Sequence, residues 1–167
     1  MNVVFIFSDR HTATFSGCYG NAVTRTPHLD SLAERGVRFE NAYCLSPTCA
    51  PARASMMSGR YIHEIGAWCN SFPYTGVPRG WGHEFADQGV LYTTVGKLDL
   101  SPEADRGIED ERLASLRSSR DVTTLFREET QPRFPYIRKF CETGPAETLK
   151  AYDKDIRVAE EAARWLR

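Results

Sequence analysis

Stretches of strand character alternate along this chain with stretches carrying helix start and stop signals, and that alternation limits the folds open to it. Val3-Val4-Phe5-Ile6-Phe7 is β-branched and aromatic and ends in Ser8-Asp9, which predicts a buried first strand running into a polar loop. Thr26 to Gly36 predicts a short helix, with Thr26 as cap, Pro27 at the first position and Gly36 as the stop. Val37 to Tyr43 alternates apolar and polar residues as a second strand would. A helix is expected from near Pro51 to Gly59, and another over His83 to Gln88, closed by Gly89. A strand over Leu91 to Val95 follows, with Gly96-Lys97 just beyond it. Strands interleaved with helices predict an α/β layered fold with a largely parallel sheet. Ligands of such sheets gather outside the carboxyl ends of the strands, so Asp9, Cys49 and Lys97 are expected to converge on one edge.

The 167 residues suffice for one domain with a core, read here as core motifs over 1–100 and a helical part over 101–167. From Ser101 to Thr143 the pattern is weak, interrupted by Pro132 and Pro135. Leu149, Tyr152, Ile156, Ala159, Ala163 and Leu166 then recur at spacings of three and four, an amphipathic helix beginning near Pro145. The net charge of −1 argues against nucleic acid or an anionic membrane as partner, so any anion specificity must come from a local cluster. Val3 to Phe7 is too short to span a bilayer and lacks a basic flank and cleavage site, which predicts a cytoplasmic protein unless the true start lies upstream. Cys18, Cys44, Cys49, Cys69 and Cys141 are odd in number, widely spaced and without a C-x-x-C pair. That argues against a disulfide framework and a structural zinc site. Apart from Cys49 they are expected to be small buried hydrophobes.

Cys49-Ala50-Pro51-Ala52-Arg53 concentrates the chemistry. Arg53, four residues after the thiol, returns to the same helix face and could lower the thiol pKa or bind an oxyanion. Pro51 suits the first turn of a helix whose N–H groups would point at the same anion. Against this stand plainer readings: Cys49 a structural cysteine, Asp9 a cap or turn residue, Lys97 a solvated surface lysine.

C-x-P-x-R, a helix of small residues and then Met57-Ser58-Gly59-Arg60 resemble the signature of the type I sulfatases. Other segments are similar to that family in the same order: Asn2 to Asp9, Gly17-Cys18-Tyr19-Gly20, Thr26-Pro27-His28-Leu29-Asp30, Gly36 to Tyr43, and Val95-Gly96-Lys97. The resemblance implies an alkaline-phosphatase-like fold and hydrolysis of sulfate esters, the substrate being a sulfated small molecule or sugar. It implies that Cys49 is oxidised to formylglycine by the formylglycine-generating enzyme and serves as nucleophile and metal ligand. Asp9 would bind a divalent cation, Ca²⁺ first and Mg²⁺ or Mn²⁺ as alternatives. Arg53 would steady the nucleophile, and Lys97 would contact the sulfate. The use of an aldehyde has a chemical reason: a thiol would leave an adduct that is hard to discharge, whereas a hydrated aldehyde has a second hydroxyl with which to expel sulfate.

Two departures stand out. Arg10 occupies the place of a frequent second aspartate, and Asp99 that of the usual histidine after the lysine. Gly96-Lys97-Leu98-Asp99 is similar to the arylsulfatase K branch, with Asp99 either orienting nucleophile or substrate or selecting a different sulfated sugar. Ala52 replaces the commoner serine. His63 is expected to be structural or to support the site, His11 to be a loop residue, and His28 and His83 surface or capping residues. Arg117, Arg120 and Arg127 read as a solvated helical face. The family's remaining metal ligands do not appear between Asp99 and Arg167, so the chain resembles the amino-terminal part of the catalytic domain and is expected to be inactive alone. A phosphonate monoester hydrolase or phosphodiesterase with the same nucleophile is the alternative, and a non-catalytic anion-binding remnant a third reading.

Overall fold

The computed structural model describes residues 2–117 and 152–167. They divide into two compact units, 1–44 and 45–167. The expected start of the tail helix near Pro145, as well as Cys141, Arg120 and Arg127, lie outside the described residues.

In the first unit the expected helix forms as α1, Pro27–Arg35. Pro27 opens it as predicted, but Thr26 does not cap it with its side chain, and Gly36 ends it in an extended conformation. Thr26 is engaged elsewhere. Its hydroxyl accepts the Gly17 N–H at 2.8 Å and donates to Asp30 Oδ1 at 2.9 Å. The same Asp30 oxygen accepts the Cys18 N–H at 2.7 Å. Together these bonds latch the 3-10 turn Gly17–Tyr19 onto the start of α1. A Cβ at position 17 would sit 2.5 Å from Asp30 Oδ2, so any larger residue there would push that carboxylate aside. Two of the sequence motifs, G-C-Y-G and T-P-x-L-D, are thus the two halves of one structural clasp.

Val3–Phe7 and Val37–Tyr43 were expected as strands, and neither has strand pairing. Val3 and Ile6 are 77% and 80% exposed and Tyr43 is 90% exposed. β-branched composition makes extended backbone easy, but a strand needs a ladder partner, and the described residues supply none for these segments.

The second unit carries the core. Helix α2, Cys49–Ser58, ends at Gly59 in the left-handed conformation, whose N–H closes on the Ser55 carbonyl. The short helix α3, Ile62–Ile65, follows, and then α4, Trp81–Asp87. Ala54, Met57, Ala67, Tyr74 and Leu100 form the buried centre, with Met56, Ile65, Trp81, Leu98 and Ile108 packed around it. Trp81, Phe85 and Tyr92 make an aromatic cluster with ring centroids 5.1–5.7 Å apart. Burial there, with the Glu111 charge nearby, pushes the Tyr92 phenol up to about 12.

The sheet has two parallel strands, β1 (Thr93–Lys97) and β2 (Asp110–Ser115). β1 lies two residues later than Leu91–Val95, so Lys97 is its last residue rather than a neighbour of its end. β2 occupies a segment read as helical. The register runs Thr93↔Asp110 to Lys97↔Ser115 with an irregularity between Val95 and Lys97. Gly96, at φ 98°, sits at that irregularity. Helix α5, Tyr152–Trp165, packs there, and a Cβ on Gly96 would lie 2.9 Å from Val158 Cγ1. Both backbone conformation and close approach therefore demand glycine.

α5 confirms a helix at the tail but corrects its expected buried face. Ile156, Ala159, Ala163 and Leu166 are exposed, whereas Val158, Glu161 and Ala162 are the less exposed positions. Glu161 is turned to the sheet because Arg112 of β2 holds its carboxylate at 3.0 Å. Val158 and Glu161, rather than the expected apolar stripe, face the sheet.

Candidate active site

Cys49 is the first residue of α2, two positions earlier than the expected helix start, which puts Pro51 third. Proline still fits, since an N–H in the first turn has no helical partner. The expectation that the helix amides would face an anion needs correcting. Pro51 has no N–H, and the Ala50 N–H donates to Asn70 Oδ1 at 2.9 Å. Thr48, the residue at the cap position, makes no side-chain cap bond, so Asn70 caps α2 from a loop twenty residues on. Nothing in local sequence spacing marks Asn70. Replacing it with alanine would leave the N–H of fully buried Ala50 unpaired, and a loss of about 1–2 kcal/mol is expected in urea unfolding.

Cys49 is half-buried and Arg53 is buried at 6% exposure. Arg53 Nη1 donates to the Lys97 carbonyl, so one arm of the guanidinium ties α2 to the end of β1. That contact joins the nucleophile candidate's helix to the lysine candidate's strand across forty-four residues. Beyond β1 the backbone turns sharply: the Leu98 and Asp99 N–H groups both donate to the Ser115 carbonyl, at 3.2 and 2.9 Å. Asp99 adopts φ 55°, a left-handed conformation that aspartate tolerates better than most side chains. Its carboxylate is buried, and Oδ2 accepts from Lys97 Nζ at 3.1 Å and from Arg117 Nη2 at 3.2 Å. The Arg117 N–H donates to the Leu100 carbonyl at 2.9 Å, which fixes the arginine beside this turn. Arg117 is therefore no member of a solvated helical face. It follows β2 and pairs with a buried carboxylate, a placement visible only once the parallel register is known.

Cys49, Arg53, Lys97 and Asp99 thus all belong to the second unit, while Asp9 belongs to the first, in a bend after the extended Val3–Phe7 segment. Among the described residues no three His, Cys, Asp or Glu side chains are grouped so as to hold a metal ion. A hard dication takes six or more oxygens, and Asp9 with a modified Cys49 would supply too few. The residues described do not make up a metal site by themselves.

His83 caps α4, as anticipated, but from a buried position: its Nδ1 accepts the Gly80 N–H at 3.2 Å and its Nε2 lies 3.3 Å from Asp105 Oδ1. The Asp105 carboxyl is held below its ordinary value, chiefly by the Gly107 N–H and then by His83 and Arg79. His63 is exposed and stacks on Tyr61 at 5.6 Å, and His11 bonds Ser16 Oγ at 2.7 Å. Of the cysteines expected to be buried, Cys18 and Cys69 are only half-buried and Cys44 is exposed, contrary to expectation.

The sulfatase family model matches residues 1–166. The chain is a member of the sulfatase family. It is 29% identical to arylsulfatase K of Danio rerio over 99% of this chain and 30% of that protein, and 29% identical to arylsulfatase K of Homo sapiens over 99% and 29%. An N-acetylglucosamine-6-O-sulfatase of Bacteroides thetaiotaomicron is 30% identical over 61% of this chain and 18% of that protein. The chain spans under a third of the length of these curated relatives. No solved structure matches it. Its mixed helices and small parallel sheet agree with the alkaline-phosphatase-like α/β fold of that family. Sulfatases generally use a divalent cation and a formylglycine, and they act on sulfated substrates.

Proposed function

We propose that this chain supplies the nucleophile and part of the sulfate-binding wall of a sulfuric ester hydrolase acting on a sulfated sugar. The observation that supports it most is the Arg53 bond to the Lys97 carbonyl, which fixes Cys49's helix against the strand end bearing Lys97 and Asp99. Cys49, oxidised to formylglycine and hydrated, attacks the sulfur with one hydroxyl, and the ester oxygen leaves as the alcohol. Deprotonating the second hydroxyl expels sulfate and restores the aldehyde, so water is the only reagent consumed. Lys97 balances charge on the sulfate oxygens. Arg53 holds the nucleophile's helix in register, and Asp99 holds the lysine. Asp9 contributes one carboxylate to a divalent cation, Ca²⁺ by preference, which would act as a Lewis acid. The sugar substrate is favoured by the similarity to an N-acetylglucosamine-6-O-sulfatase.

The modification is tested by mass spectrometry of the Cys49 peptide after co-expression with the formylglycine-generating enzyme. The expected peptide has lost one sulfur and two hydrogens and gained one oxygen. A thiol left intact by that enzyme would instead favour a non-catalytic anion-binding protein. Sulfate ester, phosphate diester and phosphonate substrates compared side by side separate the sulfatase from a phosphonate monoester hydrolase.

A further inference from the structure

We propose that Arg117 is a positioning residue for Lys97, acting through the buried carboxylate of Asp99; this rests on the reading of Lys97 as a sulfate contact. Both cations meet the same oxygen, Oδ2, at 3.1 and 3.2 Å. Asp99 is 4% exposed, so water screens little of its charge. With Lys97 alone, such a carboxylate would form a closed, neutral pair, and an arriving sulfate would compete with it for the ammonium. Arg117 changes the balance. Two cations share one carboxylate oxygen, so the lysine has only part of that carboxylate's charge to itself. Arg117 therefore draws part of Asp99's field away from the lysine and turns a self-satisfied ion pair into an anion acceptor.

The position of Arg117 is costly on hydrogen bonding alone. Its Nε is buried and has no hydrogen-bond partner among the described residues, so the side chain is held there by charge pairing at Nη2 and by its backbone bond to Leu100. The backbone also builds the arrangement from both sides. The Ser115 carbonyl receives Asp99 while the Leu100 carbonyl receives Arg117, so the two strand ends clamp the carboxylate between them. Arg53 completes the set by fixing the carbonyl of the lysine itself.

The test uses the full chain and methyl sulfate as probe, with binding followed by NMR shifts of the Gly96 and Lys97 amides. The parent is expected to show saturable binding, and Lys97→Met to lose it. Arg117→Gln should weaken binding about tenfold, the effect of one charge at partly buried distance. Arg117→Lys, which keeps the charge, should bind near the parent. Adding Asp99→Asn to Arg117→Gln should restore affinity, because the competing carboxylate is gone, and Asp99→Asn alone should bind more tightly than the parent. That last variant keeps the test open if Arg117→Gln does not fold. Parent-like binding by Arg117→Gln, or by Asp99→Asn, would overturn the positioning role while leaving the Lys97 reading intact. Failure of Asp99→Asn to rescue would mean that Arg117 touches the anion directly, and again the positioning role falls. No binding by the parent, or parent-like binding by Lys97→Met, would instead remove the sulfate-contact reading itself.

Discussion

Cys49→Ala is expected to abolish sulfate-ester hydrolysis in any form of the protein that turns over an aryl sulfate, with kcat falling on the order of 10⁴-fold or more. On the proposed reading the side chain that would bond to sulfur is gone, and its neighbours Ala50, Pro51 and Ala52 carry no nucleophile. Alanine suits the first turn of a helix, and Cys49 is only half-buried, so the fold should survive and the loss should be chemical. Cys49→Ser is the informative companion. A single hydroxyl can attack sulfur but leaves no second hydroxyl to discharge the adduct, so a stable sulfated serine should accumulate with one equivalent of alcohol released. Alanine that retains more than a few per cent of the parent rate would exclude Cys49 as nucleophile.

Lys97→Met is expected to lower kcat/KM by on the order of 10²–10³-fold, the scale seen when one group facing developing charge is removed. Methionine keeps most of the aliphatic stem, and the Lys97 carbonyl that accepts from Arg53 is untouched, so the α2–β1 link should persist. Buried Asp99 keeps Arg117 as a counter-ion, which limits the cost in stability. The melting temperature should therefore change little while the kinetics collapse. A drop in kcat/KM of less than about threefold would place Lys97 outside the sulfate site.

Much of this site is legible before any coordinates are known, and the reason is local. Cys49 and Arg53 lie on one helix, Gly59 marks its end by the left-handed conformation it must adopt, and Lys97 closes a strand within one short segment. What escapes sequence reasoning is set by pairing between distant segments. β2 is an irregular stretch of charged residues whose strand state is decided by its partner; Arg112 and Arg106 become structural through Glu161 and Glu111. Asn70 and Arg117 owe their roles to acceptors and donors brought near by the fold. Val3–Phe7 and Val37–Tyr43, which form no ladder among the described residues, show the converse. Side-chain preference alone predicts strands there, yet a ladder is a property of two segments and cannot be read from one.

The Gly96–Val158 contact also has a kinetic meaning. The bonds around α2, α3 and α4 join residues close in the chain and can form early, and Arg53 then reaches β1 over a moderate span. Docking α5 brings together residues far apart in the sequence, and among the described residues its contacts with the sheet include one valine against a glycine and one ion pair at Arg112. α5 should therefore be the last element to join during folding and the first to leave on heating. Gly96 lies next to Lys97, so each departure of α5 would loosen the strand end that carries the lysine. The stability of α5 thereby sets how long the turn at Leu98 and Asp99 keeps its shape.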